Sequence, residues 1–194
     1  MKQIKLIALI SVLLFSFGCK PSREKEIRQI ETLYSSLYSQ QSAGFNKPKA
    51  DSLLKGYDQF IKDFPTDTLA PVYLFKSANL AMTVTDGNDA IARFDHFANA
   101  YPNHPKAAVS LFFKAFVYEN SLKNFDKAKE CYLLFIEKYP NHELVKDATM
   151  SLANLGKTPE QVIHEFEERQ KQDSIRISDS IAKTKGKKTG RKHS

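Results

Sequence analysis

The sequence is poor in the residues that most small catalytic and metal-binding motifs require. It contains two cysteines, seven glycines and no tryptophan. Two cysteines cannot build a disulfide framework or a four-cysteine zinc site, and neither C-x-x-C nor H-E-x-x-H occurs. The glycines form no G-x-S-x-G nucleophile turn and no phosphate-binding loop. These absences argue against an enzyme, a metal centre and a bound cofactor.

The positive charge is concentrated at the C-terminus. The formal net charge is +7, yet the last twelve residues hold six of the basic residues and no acidic one. Without those six, and without Lys2 and Lys5, the rest of the chain has a net charge of −1. The composition therefore predicts a nearly neutral folded body followed by a basic, disordered tail at residues 173–194.

The first eighteen residues have the layout of a secretory signal. Lys2 and Lys5 supply a basic start, residues 6–17 are mostly apolar, and Gly18 leads into Cys19. Twelve helical residues rise only about 18 Å, which is short of a hydrocarbon core of about 30 Å. We therefore predict an export signal rather than a membrane-spanning helix.

Cys19 decides which kind of signal is predicted. It directly follows Gly18 and precedes a polar stretch, which resembles the lipobox of bacterial lipoproteins. The resemblance implies a signal peptide at 1–18, a lipidated Cys19, a linker at 19–23 and a place in the bacterial cell envelope. Lys20, where an Asp commonly retains lipoproteins at the inner membrane, favours the outer membrane. An ordinary signal with a chance cysteine is the alternative.

A repeat of 37 or 38 residues organises the rest of the chain. Phe64-Pro65, Tyr101-Pro102 and Tyr139-Pro140 each end an amphipathic stretch. Within each stretch, four residues spaced by four, three and four positions lie on one helical side. These residues are Leu53, Tyr57, Phe60 and Phe64; Ala90, Phe94, Phe97 and Tyr101; and Ala128, Tyr132, Phe135 and Tyr139. After each proline a second helix repeats, with Ala78, Ala115 and Ala153 at one position.

This pattern resembles the tetratricopeptide repeat, which has a small-then-aromatic A-x-x-x-F pattern in its second helix. Ala90 and Phe94 fit that pattern, whereas Leu53 departs from it at the small position. A single repeat cannot bury its apolar face, so the resemblance implies an all-α, right-handed solenoid of about four helix pairs over residues 24–172. The predicted pairs are 24–41 with 49–63, 69–84 with 88–100, 106–121 with 125–138, and 143–155 with 159 to about 172.

Short polar motifs mark the ends of the predicted helices. His104 and His142 occupy the same position in two repeats, which indicates a turn or capping role rather than a pair of metal ligands. Thr158 and Gln161 flank Pro159 in the arrangement of a capping box, which predicts the start of the last helix.

The combination of a lipobox and repeats that end in Tyr-Pro-Asn resembles the BamD-like outer-membrane assembly lipoproteins. It resembles more loosely the repeat domain of CpoB, the Tol-Pal-associated protein. The resemblance covers residues 23–172 and implies a periplasm-facing, membrane-anchored scaffold that binds envelope proteins or peptides. Outer-membrane protein assembly and envelope maintenance are the roles that it suggests.

In this family the first helix of each pair lines the concave, partner-binding surface. The residues that could face it are Phe75, Asn79, Met82, Phe112, Phe116, Glu119, Met150 and Asn154. The alternative for Phe75, Phe112 and Met150 is packing between repeats. Phe116 is the more informative residue, because it follows Ala115, the small position that should face the paired helix.

The basic tail is the second candidate contact. Its charges suit anionic lipid, lipopolysaccharide or cell-wall polymer, while nucleic acid is not expected as a partner of an exported protein. In this second hypothesis the tail makes the main contact and the repeats act as a spacer or dimer surface. A tail that only solubilises the protein is the alternative. The tail residues concerned are Lys183, Lys185, Lys187, Lys188, Arg191 and Lys192.

Overall fold

The computed structural model describes residues 22–39 and 45–189, apart from the side chains of 182 and 184–189. Within these ranges the regular structure consists entirely of α-helices. In chain order the helices are α1 (Arg23–Tyr38), α2 (Lys47–Asp63), α3 (Ala70–Val84), α4 (Asn88–Ala100), α5 (Lys106–Asn120), α6 (Phe125–Lys138), α7 (Val145–Asn154) and α8 (Pro159–Thr189).

The predicted all-α helical-repeat solenoid is confirmed. Each of the first six helices packs against the next one along the chain, so the core runs as a continuous layer from α1 to α7. The bounds of these seven helices agree with the sequence-based prediction to within about one helical turn. Among the described residues, no helix has the length and apolar character needed to cross a membrane.

The core is built from the small and aromatic residues of the second helices. Ala90 and Ala128 are fully buried, which lets the paired helix approach closely. The aromatic residues that follow them are buried as well, and they fill the space between neighbouring pairs. In α2 the fully buried small residue is Ala50, one turn before Leu53. The predicted apolar stripe of each second helix therefore faces the core.

One polar position shapes the turn that leads into each first helix. Asp67, His104 and His142 occupy this position, and each side chain accepts a hydrogen bond from the backbone N–H two residues later. Asp67 Oδ1 accepts from the Leu69 N–H at 2.9 Å. His104 Nδ1 accepts from the Lys106 N–H at 3.0 Å, and His142 Nδ1 accepts from the Leu144 N–H at 3.1 Å. The imidazole rings also pack edge-on against Phe97 and Phe135. The predicted turn or capping role of the histidines is confirmed.

Asp67 also ties the start of α1 to the turn between α2 and α3. The Arg23 guanidinium donates two hydrogen bonds to the Asp67 carboxylate, and the bond from Nη2 to Oδ1 has a length of 3.0 Å. The Arg23 hydrogen bond and the backbone N–H of Leu69 lower the pKa of Asp67 to about 2. The ionised carboxylate therefore helps to fix the N-terminal helix on the array.

We expect Asp67→Asn to lower the melting temperature at neutral pH, because the amide keeps an acceptor for Leu69 but loses the ion pair with Arg23. The ordinary pKa of Asp is about 3.9, so the stability that the ion pair contributes is present above that pH. It is lost as the pH falls through about 2. Thermal melts from pH 7 to pH 2 should show the two proteins converging. A constant difference over the whole range would contradict this role.

The last helix is longer than predicted. We expected it to end near residue 172, followed by disorder, but α8 continues to Thr189. No proline follows Pro159, and local contacts such as the 2.8 Å ion pair between Arg176 and Asp173 support the helix. Predicting disorder for the whole of residues 173–189 was therefore wrong, whereas residues 190–194 lie outside the described ranges.

The two helices of the fourth pair, α7 and α8, do not pack together along their length. Ala153 should be buried like Ala78 and Ala115, yet it is exposed. The predicted capping box does form: Gln161 Oε1 accepts the Thr158 N–H over 2.9 Å. No side chain described in α8 is buried, because the helix projects from the array instead of covering α7 along its length.

Candidate functional site

The first helices of three successive repeats, α1, α3 and α5, each carry exposed aromatic or apolar side chains. Its members are Tyr34 and Tyr38 of α1, Val72 and Lys76 of α3, and Phe116 of α5. The apolar members are all exposed, whereas the other large apolar side chains of these helices are buried or half-buried. We call these five residues the first-helix face.

A cation–π contact joins α1 to α3 on this face. Lys76 Nζ lies 5.0 Å from the centroid of the Tyr34 ring. The rings of Tyr34 and Tyr38 contact each other, with centroids 4.6 Å apart. Burial raises the pKa of Tyr38 above its usual range, so its hydroxyl stays protonated at neutral pH. The result is an aromatic pair with a lysine at its edge.

Phe116 extends the face onto α5. Ala115 before it is fully buried, whereas Phe116 is 39% exposed. Asn120 Nδ2 donates a 3.1 Å hydrogen bond to the Phe116 carbonyl. In the same way, Asn79 Nδ2 donates a 2.7 Å hydrogen bond to the Phe75 carbonyl. Asn79 is the repeat equivalent of Phe116, so it occupies the matching position on α3. Its amide is half-buried and bonded within its own helix.

Phe75 and Phe112 belong to the packing between helices. Phe75 is half-buried, and its ring lies edge-on to Phe97 with centroids 5.3 Å apart. Phe112 is buried and packs edge-on against Tyr132 and Phe135, both at 5.7 Å. Both predicted contact residues therefore pack against the second helix of their own repeat.

Met82 and Glu119 both contact buried residues of the core. Met82 is half-buried and packs against the N-terminal core cluster. Glu119 Oε2 accepts a 2.8 Å hydrogen bond from the hydroxyl of Tyr132, whose ring is fully buried. Burial raises the pKa of Tyr132, so the phenol remains the donor. Glu119 thus satisfies a buried hydroxyl at the junction of α5 and α6.

Met150 and Asn154 lie apart from the first-helix face. They line a groove between α7 and the first turns of α8, together with Ile163 and Phe166. Met150 is exposed and Asn154 is half-buried. Of the eight predicted contact residues, four belong to the packing of the array, Phe116 belongs to the first-helix face, Met150 and Asn154 line this groove, and Asn79 is bonded within α3.

Charged residues on α2 and α4 form a closed cluster between the second helices of two successive repeats. Arg93 donates to both Asp58 and Asp89, with the Asp89 bond at 2.9 Å. Burial lowers the pKa of Arg93, but these two carboxylates outweigh that effect and raise it. Because each of these groups is paired within the cluster, its chemistry is that of a structural ion pair between successive repeats.

The described residues contain no group of three or more His, Cys, Asp or Glu side chains that could hold a metal ion. Cys131 is half-buried, and burial raises the pKa of its thiol above the usual range. A protonated thiol is a poor nucleophile.

The predicted lipidation site and most of the basic tail cannot be placed. Cys19, Arg191 and Lys192 lie outside the described residues. Lys183 is exposed near the end of α8, whereas Lys185, Lys187 and Lys188 belong to that helix without a described side-chain position.

Tyr34, Tyr38 and Lys76 were missed as candidate contacts. Both tyrosines lie on α1, four positions apart, and each directly follows a leucine. Tyrosine carries a hydroxyl that favours an edge between core and solvent, and this was the available signal. No feature of the sequence indicated that Lys76 is a contact residue, because its contact with Tyr34 depends on how two repeats stack.

The stacked helix pairs form an all-α helical-repeat array, a class of folds whose repeats create extended binding surfaces. Residues 110–142 match the family model described as Tetratricopeptide repeat. This match supports a tetratricopeptide-repeat protein, and such folds are typically non-catalytic interaction scaffolds. No curated protein matches the chain.

Proposed function

We propose that this protein is a scaffold of the bacterial cell envelope that binds a protein partner through the first-helix face. The observation that carries the proposal is the run of exposed aromatic and apolar side chains over α1, α3 and α5, with Lys76 held against Tyr34. Aromatic side chains bury a large area at a low entropic cost, which makes them the usual anchors of protein interfaces. The fitting partner is a peptide or helix with apolar side chains.

The proposed anchor is a lipid on Cys19. Arg23 starts α1 and is held by Asp67, so only residues 20–22 separate the cysteine from the fixed part of the array. Four residue steps span at most about 14 Å when fully extended. A lipid at Cys19 would therefore keep the repeats next to the membrane. An outer-membrane location and a role like that of BamD-like proteins or CpoB are further parts of this proposal.

We expect Phe116→Glu to reduce crosslinking of the protein to its main partner in cells by about tenfold, because the change places a charge in the apolar face. Crosslinked proteins would be quantified by mass spectrometry. Leu133→Glu is the matched control, since Leu133 is 50% exposed but lies on α6, a second helix. Equal losses in both variants, or no loss in Phe116→Glu, would contradict binding at the first-helix face.

The anchor is tested by Cys19→Ala. We expect this variant to appear in the soluble periplasmic fraction while the parent protein stays with the membranes. Unchanged membrane association of the variant would overturn the lipid anchor, whatever the outcome at Phe116.

A second candidate function assigns the main envelope contact to the basic tail. It is supported by the exposed Lys183 near the end of a helix that projects from the array. Anionic lipid, lipopolysaccharide or cell-wall polymer would be the ligand, with about 1 kcal/mol per basic residue near an anionic surface. Deleting residues 183–194 separates the two candidates: partners that still copurify with the truncated protein rule out the tail as the main contact.

A further inference from the structure

One side of α8 is uncharged and exposed from Ile163 to Ile181. The residues of this side follow each other at intervals of three or four positions, which places them on one face of the helix. We call them the α8 stripe: Ile163, Phe166, Gln170, Ser174, Ile177 and Ile181. Its four apolar side chains are each 52 to 59% exposed.

The array itself is too short to cover this stripe. The helix α7, which would be the partner of α8 in a closed repeat, has 10 residues against 31 in α8. A 2.7 Å ion pair joins Lys157, in the turn after α7, to Glu165 on α8. The stripe continues to Ile181, about 27 Å beyond Ile163 along the helix. A helix that covers the whole stripe would therefore have to come from outside the array.

The charge of α8 is divided between its two halves. Residues 159–173 contain five acidic and two basic residues, a net charge of −3. Residues 174–189 contain one acidic and five basic residues, a net charge of +4. Two such helices attract each other when they run in opposite directions and repel each other when they run in parallel.

The stripe has the same order of apolar and polar residues in both directions. Gln170 and Ser174 form its polar centre, and the Ser174 hydroxyl donates to the Gln170 carbonyl over 2.9 Å. Two apolar residues lie on each side of this centre. When two copies run in opposite directions about residue 172, apolar ends meet apolar ends, and Gln170 meets Ser174 of the second copy.

We infer that the α8 stripe is a dimerisation surface on which α8 of a second copy of this chain packs in the antiparallel direction. The pairing buries the apolar ends of both stripes and places the acidic half of each helix beside the basic half of the other. It is independent of the first-helix face, which lies on α1, α3 and α5. A membrane is the poorer occupant, because the cluster Glu165, Glu167 and Glu168 would be repelled by anionic lipid.

Sedimentation equilibrium of the full chain tests the dimer. The wild-type mass should rise with concentration from 22.1 kDa toward twice that value. The double change Phe166→Ser and Ile177→Ser should raise the dissociation constant by about tenfold or more, because it removes half of the apolar stripe. Ile175→Ser is the matched control: Ile175 is 54% exposed on the same helix but lies away from the stripe. It should change the constant by less than about twofold.

Disulfide crosslinking tests the direction of the pairing, in a background where Cys19 and Cys131 are changed to Ser. Chains carrying Ile163→Cys should crosslink readily only when mixed with chains carrying Ile181→Cys. Each single variant alone should crosslink poorly, since its two thiols would lie about 27 Å apart in an antiparallel pair.

Three results would overturn the inference. The first is a wild-type chain that stays monomeric up to several hundred micromolar, and the second is equal weakening by Ile175→Ser and the stripe variant. The third is efficient crosslinking of Ile163→Cys with itself, which indicates parallel helices. Vesicles of phosphatidylglycerol that bind the wild-type monomer but not the stripe variant would identify a membrane as the occupant instead.

Discussion

Phe97→Ala is expected to destabilise the protein by about 3–5 kcal/mol, the usual cost of removing a fully buried phenylalanine side chain. Phe97 has no exposed surface, and it lies where α4 meets the following turn. Its ring packs edge-on against Phe75 and His104, with centroids 5.3 and 5.2 Å away. The substitution therefore leaves a cavity between a first helix, a second helix and the next repeat.

In a repeat array, each pair is stabilised by its contacts with its neighbours. Loss of the Phe97 ring should therefore weaken the junction on both sides of α4. Urea unfolding followed by circular dichroism at 222 nm would show a lower midpoint.

Leu133→Ala is the control, because Leu133 is half exposed on α6 and its removal should cost about 1 kcal/mol or less. The packing role of Phe97 would be contradicted if both substitutions shifted the midpoint equally.

Gly87→Ala is expected to destabilise the protein by about 1–3 kcal/mol. Gly87 precedes α4 with a φ of 85°, a region that L side chains rarely adopt. An added Cβ would also lie 3.2 Å from Leu122 Cδ2 and from Ser121 Cβ, at the end of α5. Backbone strain and crowding thus act in the same direction at this turn.

Gly56→Ala is the matched comparison, and we expect it to stabilise the protein by about 0.5–1 kcal/mol. Gly56 lies inside α2, and a Cβ there would meet Ile30 Cγ1 at 3.4 Å, which is ordinary contact. Thermal melts of the two variants should shift in opposite directions. If both shifts were upward, the turn at Gly87 would be less constrained than its geometry indicates.

The sequence predicted the helices well where the apolar period is strong. The spacing of the apolar residues from Ala90 to Tyr101 puts them on one side only if the segment is a helix. The proline after Tyr101 ends that helix. At the end of the chain this signal failed. The apolar residues thin out after residue 172, but helix formation there needs only local hydrogen bonds and the absence of proline.

The candidate site was predicted less well, because contacts between first helices depend on stacking. Phe75 and Phe116 are both large aromatic residues on first helices, yet Phe75 packs into the array while Phe116 is exposed. Sequence spacing places both on predicted helices, but a difference of a few tens of degrees in rotation decides which of them reaches solvent.

The sequence by itself determined the helical pairs, the buried stripe of each second helix and the caps at His104 and His142, because these features arise from local hydrogen bonding and from a period that repeats. Only the tertiary structure decided that Tyr34 and Lys76 meet across two repeats and that α8 projects with an uncovered stripe. These features depend on the rotation of each helix against its neighbour and on the length of α7. No local pattern encodes that rotation, whereas the sequence itself predicts a short α7.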